Sequence, residues 1–154
     1  MSHVITILGC GSSGGVPRVG NDWGACDPAY AKNRRRRCSI LVERTQADKK
    51  TVVLVDTSPD LREQLLDARV DRLDGILMTH AHADHTHGID DVRPLVIRMR
   101  KKIDVFMDDY TADQLRAKFG YIFESPPGSN YPPLLNENAL TPGAPCRIDG
   151  PGGA

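Results

Sequence analysis

The sequence predicts a single α/β domain built on a mixed sheet, and three observations predict it. Short β-branched runs alternate with stretches of helical periodicity, two of those runs are joined by a polar link of hairpin length, and no internal repeat divides the chain. At 154 residues, 40% hydrophobic and 26% charged, the chain is long enough for one core and too apolar to stay unfolded. Its 20 basic and 20 acidic residues cancel, so no global field marks it for nucleic acid or for a membrane surface.

Val4 to Leu8 reads as the first strand, followed by a long loop rich in glycine, proline and arginine over residues 9 to 38. Ser39–Arg44 and Thr51–Asp56 read as two strands, with Gln46–Lys50 as the turn between them. Ser58-Pro59 has the form of a helix N-cap followed by proline at the first helical position, for a helix carrying Leu61, Leu65 and Leu66 on one face and ending near Ala68. Gly75–Thr79 is a short buried strand. Val92, Leu95, Val96 and Met99 recur at helical spacing, with Pro94 starting or kinking that helix. Ile103–Met107 alternates as a strand does, and Thr111 with Gln114 form a capping-box pair for a helix through Phe119 whose inner face is Leu115 and Phe119. Beyond Glu124 the pattern ends: seven of the eleven prolines lie between 126 and 151, and a terminus of turn residues is expected to close no core.

Four cysteines, Cys10, Cys26, Cys38 and Cys146, stand apart without a C-x-x-C pair, which argues for a reducing compartment and thiols packed as small apolar groups. Ile7-Leu8-Gly9-Cys10 has the outline of a lipoprotein cleavage site, but no Lys or Arg precedes it and the apolar run is too short. No stretch approaches the about 18 apolar residues of a membrane span. The expected location is cytoplasmic.

Gly9, Gly11 and Gly14 have the spacing of a dinucleotide-binding loop, yet the context denies that reading. The pyrophosphate of such a site rests on a helix N-terminus, and here Gly15, Pro17 and Gly20 prevent a helix. Where the ribose-binding carboxylate belongs, the chain has Arg34-Arg35-Arg36-Arg37. The glycines are expected to let the backbone turn and approach something closely, as one wall of a metal cleft.

That cleft is signalled by MTHAHADHTHGIDD, residues 78 to 91, which holds four of the five histidines. At a strand end, residues i and i+2 point to one side, so His80 and His82 can reach one cation, and a turn at Ala83-Asp84 brings Asp84 and His85 close by. Imidazoles and a carboxylate without thiolate suit Zn²⁺, with Mn²⁺, Fe²⁺ and Ni²⁺ as alternatives.

The run His80-Ala-His82-Ala-Asp84-His85 matches the H-x-H-x-D-H signature of the metallo-β-lactamase superfamily, and Asp56 resembles its supporting aspartate upstream. The segments GCGSSGGVPR, WGACDP, NRRRRCS and HTHGIDDVR are similar to those of its bacterial phosphodiesterases, namely the phosphoribosyl 1,2-cyclic phosphate phosphodiesterases and, further off, ribonuclease Z. The resemblance implies the N-terminal half of a four-layer αββα sandwich with two divalent metal ions. His80 and His82 would hold one ion and Asp84 and His85 the other, and Asp84 would also act as the catalytic residue that orients a metal-bound hydroxide toward phosphorus. The implied substrate is a small cyclic or nucleotide-like phosphodiester, with RNA as the lesser candidate and no membrane partner.

The superfamily pattern also has downstream ligands, a third histidine, a bridging aspartate and a final histidine, and this chain has no histidine beyond His87. Residues 1–154 are therefore expected to form one incomplete domain, truncated at the C-terminus and inactive alone, with completion by a homodimer as the alternative. A non-catalytic metal-binding or RNA-associated module, and a thioesterase or lactamase-like hydrolase, are the other functional readings. The arginine run is expected to be a solvated or salt-bridged turn. Arg18 either meets a phosphate near the metals or caps its own loop, His87 either donates to substrate or steadies the turn before Gly88, and Arg93 has no assigned task.

Overall fold

Six strands lie side by side in the order in which the chain makes them, in a computed structural model that describes all residues, Met1–Ala154. They are β1 (Ser2–Gly9), β2 (Ser39–Gln46), β3 (Lys49–Val55), β4 (Gly75–Leu77), β5 (Ile103–Met107) and β6 (Leu135–Ala139). The first three are antiparallel and β3 to β6 run parallel, so the sheet is mixed as expected. Parallel neighbours need crossovers, and helices supply them. These are α1 (Leu61–Asp67) after β3, α2 (Ala83–Thr86) and α3 (Arg93–Met99) after β4, and α4 (Asp109–Phe119) after β5. No helix is long and apolar enough to cross a membrane.

Register sorts the strand residues into two faces. Leu41, Leu54, Ile76 and Val105 are paired in a row across β2 to β5 and are almost wholly buried. Leu61 and Leu65 of α1, Val96 of α3 and Leu115 of α4 join them in one core. The other face is also apolar: Ile7, Ile40, Val55, Leu77 and Phe106 form its longest row, with Ile5, Val42 and Val53 beside it. No helix covers this second face, and Ile5 and Ile7 are 67% and 68% exposed.

Several local expectations are corrected. The first helix starts at Leu61 behind Asp60, because the Ser58 hydroxyl accepts from Asp60 N (3.1 Å) in a tight turn instead of capping a helix. Leu66 is exposed, since a helix of two turns inserts only its i, i+4 pair Leu61 and Leu65. Asp108, not Thr111, caps α4, its carboxylate accepting from Thr111 N at 2.7 Å, and Thr111 lies buried in the first turn. The β2–β3 turn is only Ala47-Asp48, both with positive φ, as a two-residue hairpin demands. The tail is not structureless: β6 extends the sheet, and Ile148 packs over Gly75, where a Cβ would come within 2.8 Å of it. Arg44 Nη1 donates to Gly152 O (2.7 Å) and Thr51 Oγ1 to Gly153 O (2.5 Å), tying the end of the chain to the hairpin. The cysteines do not pack as core residues either, since Cys10, Cys38 and Cys146 are exposed.

Candidate metal centre

The C-terminal ends of β3 and β4 bring the site together, the usual place for chemistry on parallel strands. Asp56 follows β3 with φ of 61°, a left-handed conformation that turns its carboxylate under the loop after β4. It is buried, and its oxygens are fully engaged. Thr79 N donates to Oδ1 (2.8 Å), while Thr79 Oγ1 (2.7 Å) and His85 Nδ1 (2.7 Å) both reach Oδ2.

This network fixes two imidazoles. A carboxylate oxygen accepts, so His85 donates through Nδ1, and in the neutral ring Nε2 is then the nitrogen free to bind a metal. Thr79 has given its one hydroxyl hydrogen to Asp56, so its oxygen accepts from His80 Nδ1 (2.9 Å), and His80 Nε2 is bare as well. The first nitrogen faces Asp84 Oδ2 at 3.3 Å and the second faces His82 Nδ1 at 3.1 Å. Asp84 Oδ2 and the neutral His85 Nε2 are both acceptors close enough for a cation to bridge, while His82 Nδ1 either donates to His80 Nε2 or, in its other tautomer, offers a second such pair. Zn–N bonds of about 2.0–2.1 Å at tetrahedral angles separate donors by about 3.3 Å, so each pair spans one edge of such a coordination sphere. The rings of His80 and His85 lie 4.1 Å apart between centroids, which joins the two pairs into one cluster.

The four residues singled out in the sequence, His80, His82, Asp84 and His85, are thus together, paired as His80/His82 and Asp84/His85. The expected turn at Ala83-Asp84 is a short helix, α2, entered at His82 and placing Asp84 and His85 in its first turn. The donor set fits divalent metal as two half-spheres, and no three His, Cys, Asp or Glu side chains converge on one point. Thr79 is the functional residue that sequence reading missed.

The remaining candidates lie elsewhere. His87 sets its ring edge against Phe119, with 5.6 Å between centroids. Arg93 pairs with Asp90 (2.7 Å) and lies 5.6 Å from the centre of the Tyr131 ring. Beside it, burial and then the Asp90 carboxylate push the Tyr121 phenol above its ordinary pKa. Arg18 stands by Asp22 at 3.8 Å. The glycine loop forms no helix, and what it approaches is the arginine run: a Cβ on Gly9 would lie 2.1 Å from Arg37 O and one on Gly11 2.8 Å from Arg36 O.

A family model described as a beta-lactamase superfamily domain matches residues 51–153, from β3 through the whole histidine cluster to the tail. The chain belongs to that superfamily. Among solved structures, one described as a new diphosphatase from the PhnP family is 33% identical, with a TM-score of 0.76 over 92% of this chain and 51% of its own. This places the chain on the PhnP-like branch that the sequence segments resemble. Zn²⁺-bound PqqB from Methylobacterium extorquens (18% identical, TM-score 0.59) and human tRNase Z, short form (16%, 0.52), share the fold, over 90% of this chain and 46% and 44% of theirs. A curated relative, an octanoyltransferase from Porphyromonas gingivalis (strain ATCC BAA-308 / W83), is 37% identical over 144 residues, 92% of this chain and 28% of the relative. The chain spans about half the length of the solved relatives and less of the curated one.

Proposed function

We propose that this superfamily chain contributes the ligands His80, His82, Asp84 and His85 to a metal-dependent phosphodiesterase acting on small cyclic or nucleotide-like phosphodiesters. One observation carries the reading. Asp56, directly and through Thr79, leaves bare nitrogens on His85 and His80, each facing another donor at the spacing of neighbouring metal ligands. Divalent ions bound there, Zn²⁺ by the donor chemistry, would lower the pKa of water to about 7 and offset charge on a phosphoryl group. The chain's own part is to hold and orient. His80 and His82 would present one edge of a coordination sphere and Asp84 and His85 another, and Asp84 would also orient a metal-bound hydroxide. The phosphodiester reading is supported by the flanking segments and by the 33% likeness to a structure described as a diphosphatase from the PhnP family.

The test is made on the full-length protein, by metal analysis together with hydrolysis of bis(p-nitrophenyl) phosphate and of a p-nitrophenyl thioester. About two divalent ions per chain and phosphodiester hydrolysis are expected. His82→Ala should abolish that hydrolysis while circular dichroism stays unchanged. Hydrolysis undiminished in the variant refutes the proposal, and preference for the thioester refutes the substrate class.

A further inference from the structure

The geometry points to a phosphate-binding cradle on the run Arg34–Arg37, outside the histidine cluster. The run is held by its backbone. Arg35 N and O exchange hydrogen bonds with Val16 O and N (both 2.9 Å), Gly11 N donates to Arg36 O (2.7 Å), and Gln64 Nε2 donates to Arg37 O (2.9 Å). Glycines permit this contact: a Cβ on Gly15, at φ of 69°, would lie 3.1 Å from Arg35 O. With main chain packed on main chain, the arginines of the run line two clefts. One cleft, about 360 Å³, has Gly14–Pro17 as its other wall. The second, about 430 Å³, lies between Lys32 and the end of β1.

Charge pairing within these clefts is uneven. Arg37 is paired with Asp60 (2.8 Å), Arg36 with Asp67 (2.6 Å), and Glu63 is engaged by Arg62. Every carboxylate lining the two clefts thus has a cation already. Arg34 and Lys32 have no ion pair, and the nearest polar partner of Arg35 is the Cys26 thiol at 4.0 Å. So the expected salt-bridged or solvated run divides in two: Arg36 and Arg37 are salt-bridged, and Arg34 and Arg35 are left without a carboxylate partner. Lys32, Arg34 and Arg35 line one cleft without a carboxylate of their own, and a multivalent anion there would interact with all three. Guanidinium forks match phosphate oxygens two by two, which selects phosphate over a simple point anion. Free polyphosphate and a phosphodiester strand offer the same groups.

Metal-stripped protein is titrated with inorganic pyrophosphate by calorimetry and with a fluorescein-labelled ten-nucleotide oligouridylate by anisotropy, at increasing NaCl. For the strand, each engaged cation adds about −0.7 to the slope of log K against log salt, so Lys32, Arg34 and Arg35 give about −2. Arg34→Gln with Arg35→Gln should flatten this to about −0.7 and abolish pyrophosphate binding, with circular dichroism unchanged. The double Lys variant should keep the slope at reduced affinity. His82→Ala should bind both probes as the parent does. Tighter pyrophosphate binding identifies free phosphate as the source, and tighter strand binding identifies the diester. Binding of neither probe, an unaltered slope in the double Gln variant, or loss of binding in His82→Ala overturns the proposal.

Discussion

Asp56 controls two imidazoles with a single carboxylate, and a change there acts through proton position rather than through lost bulk. In Asp56→Asn the amide oxygen is held toward Thr79 N, which needs an acceptor, so the NH₂ replaces Oδ2 beside His85 Nδ1. That nitrogen must then accept, the imidazole proton moves to Nε2, and the ligand lone pair is gone. Losing such a supporting partner typically weakens metal binding by about 10–100-fold. We expect a loss in that range by Co²⁺ or Zn²⁺ titration. Thr79→Val should weaken binding through His80 alone, and Thr79→Ser should restore it. Equal affinity in parent and Asp56→Asn would dismiss the tautomer argument. The cluster of four proposed ligands was legible because histidine is scarce elsewhere in the chain and crowded here. Thr79 was not, because a hydroxyl beside a histidine is common, and its role arises only where positive φ at Asp56 brings β3 and β4 ends together. Asp56 itself was legible only by resemblance.

Among the elements, strands with strong β-branched content were readable, whereas β6 was not. Its sequence Leu-Asn-Glu-Asn-Ala has one large apolar residue, and it is a strand because β5 offers it a full ladder and only Leu135 needs burial. Helix starts were misplaced by two or three residues because Ser58 and Thr111 have the right chemistry for caps, while Asp60 and Asp108, equally suitable, sit nearer the helices. Gly88 shows how one element fixes another. It closes the loop after α2 against the turn before α1, and a Cβ there would lie 2.0 Å from Ser58 O and 2.8 Å from Leu61 Cβ. Neither is the free end of a flexible side chain. Gly88→Ala should therefore destabilise the protein by about 1–3 kcal/mol, read from chemical denaturation, as overpacking does elsewhere. It should also move His85, since Thr57 N donates to His85 O and Gly88 N to Thr57 O. An unshifted midpoint would mean that the contact relaxes freely.

At the scale of the molecule, the sheet has one face buried by helices and one that is apolar yet open. The sequence carried this information in β1, where Val4, Ile5 and Ile7 follow one another, but alternation alone cannot separate a covered face from an uncovered one. In the four-layer αββα sandwich that the resemblance implies, a face of this kind would meet a second sheet. In the 154-residue chain, Ile5 and Ile7 stand at the free edge of the row that continues through Ile40, Val55, Leu77 and Phe106. Apolar patches of this kind drive association of soluble proteins or bind apolar dyes. We expect the 154-residue chain to enhance anilinonaphthalene sulfonate fluorescence and to self-associate as its concentration rises in sedimentation velocity. Ile5→Lys with Ile7→Lys should reduce both. Because these side chains are already about two-thirds exposed, the folded state should lose no more than about 0.5 kcal/mol per substitution. Undiminished dye binding in a folded double variant would place the sticky surface elsewhere, and a large loss of stability would show that β1 is buried in solution by contacts the isolated chain supplies to itself.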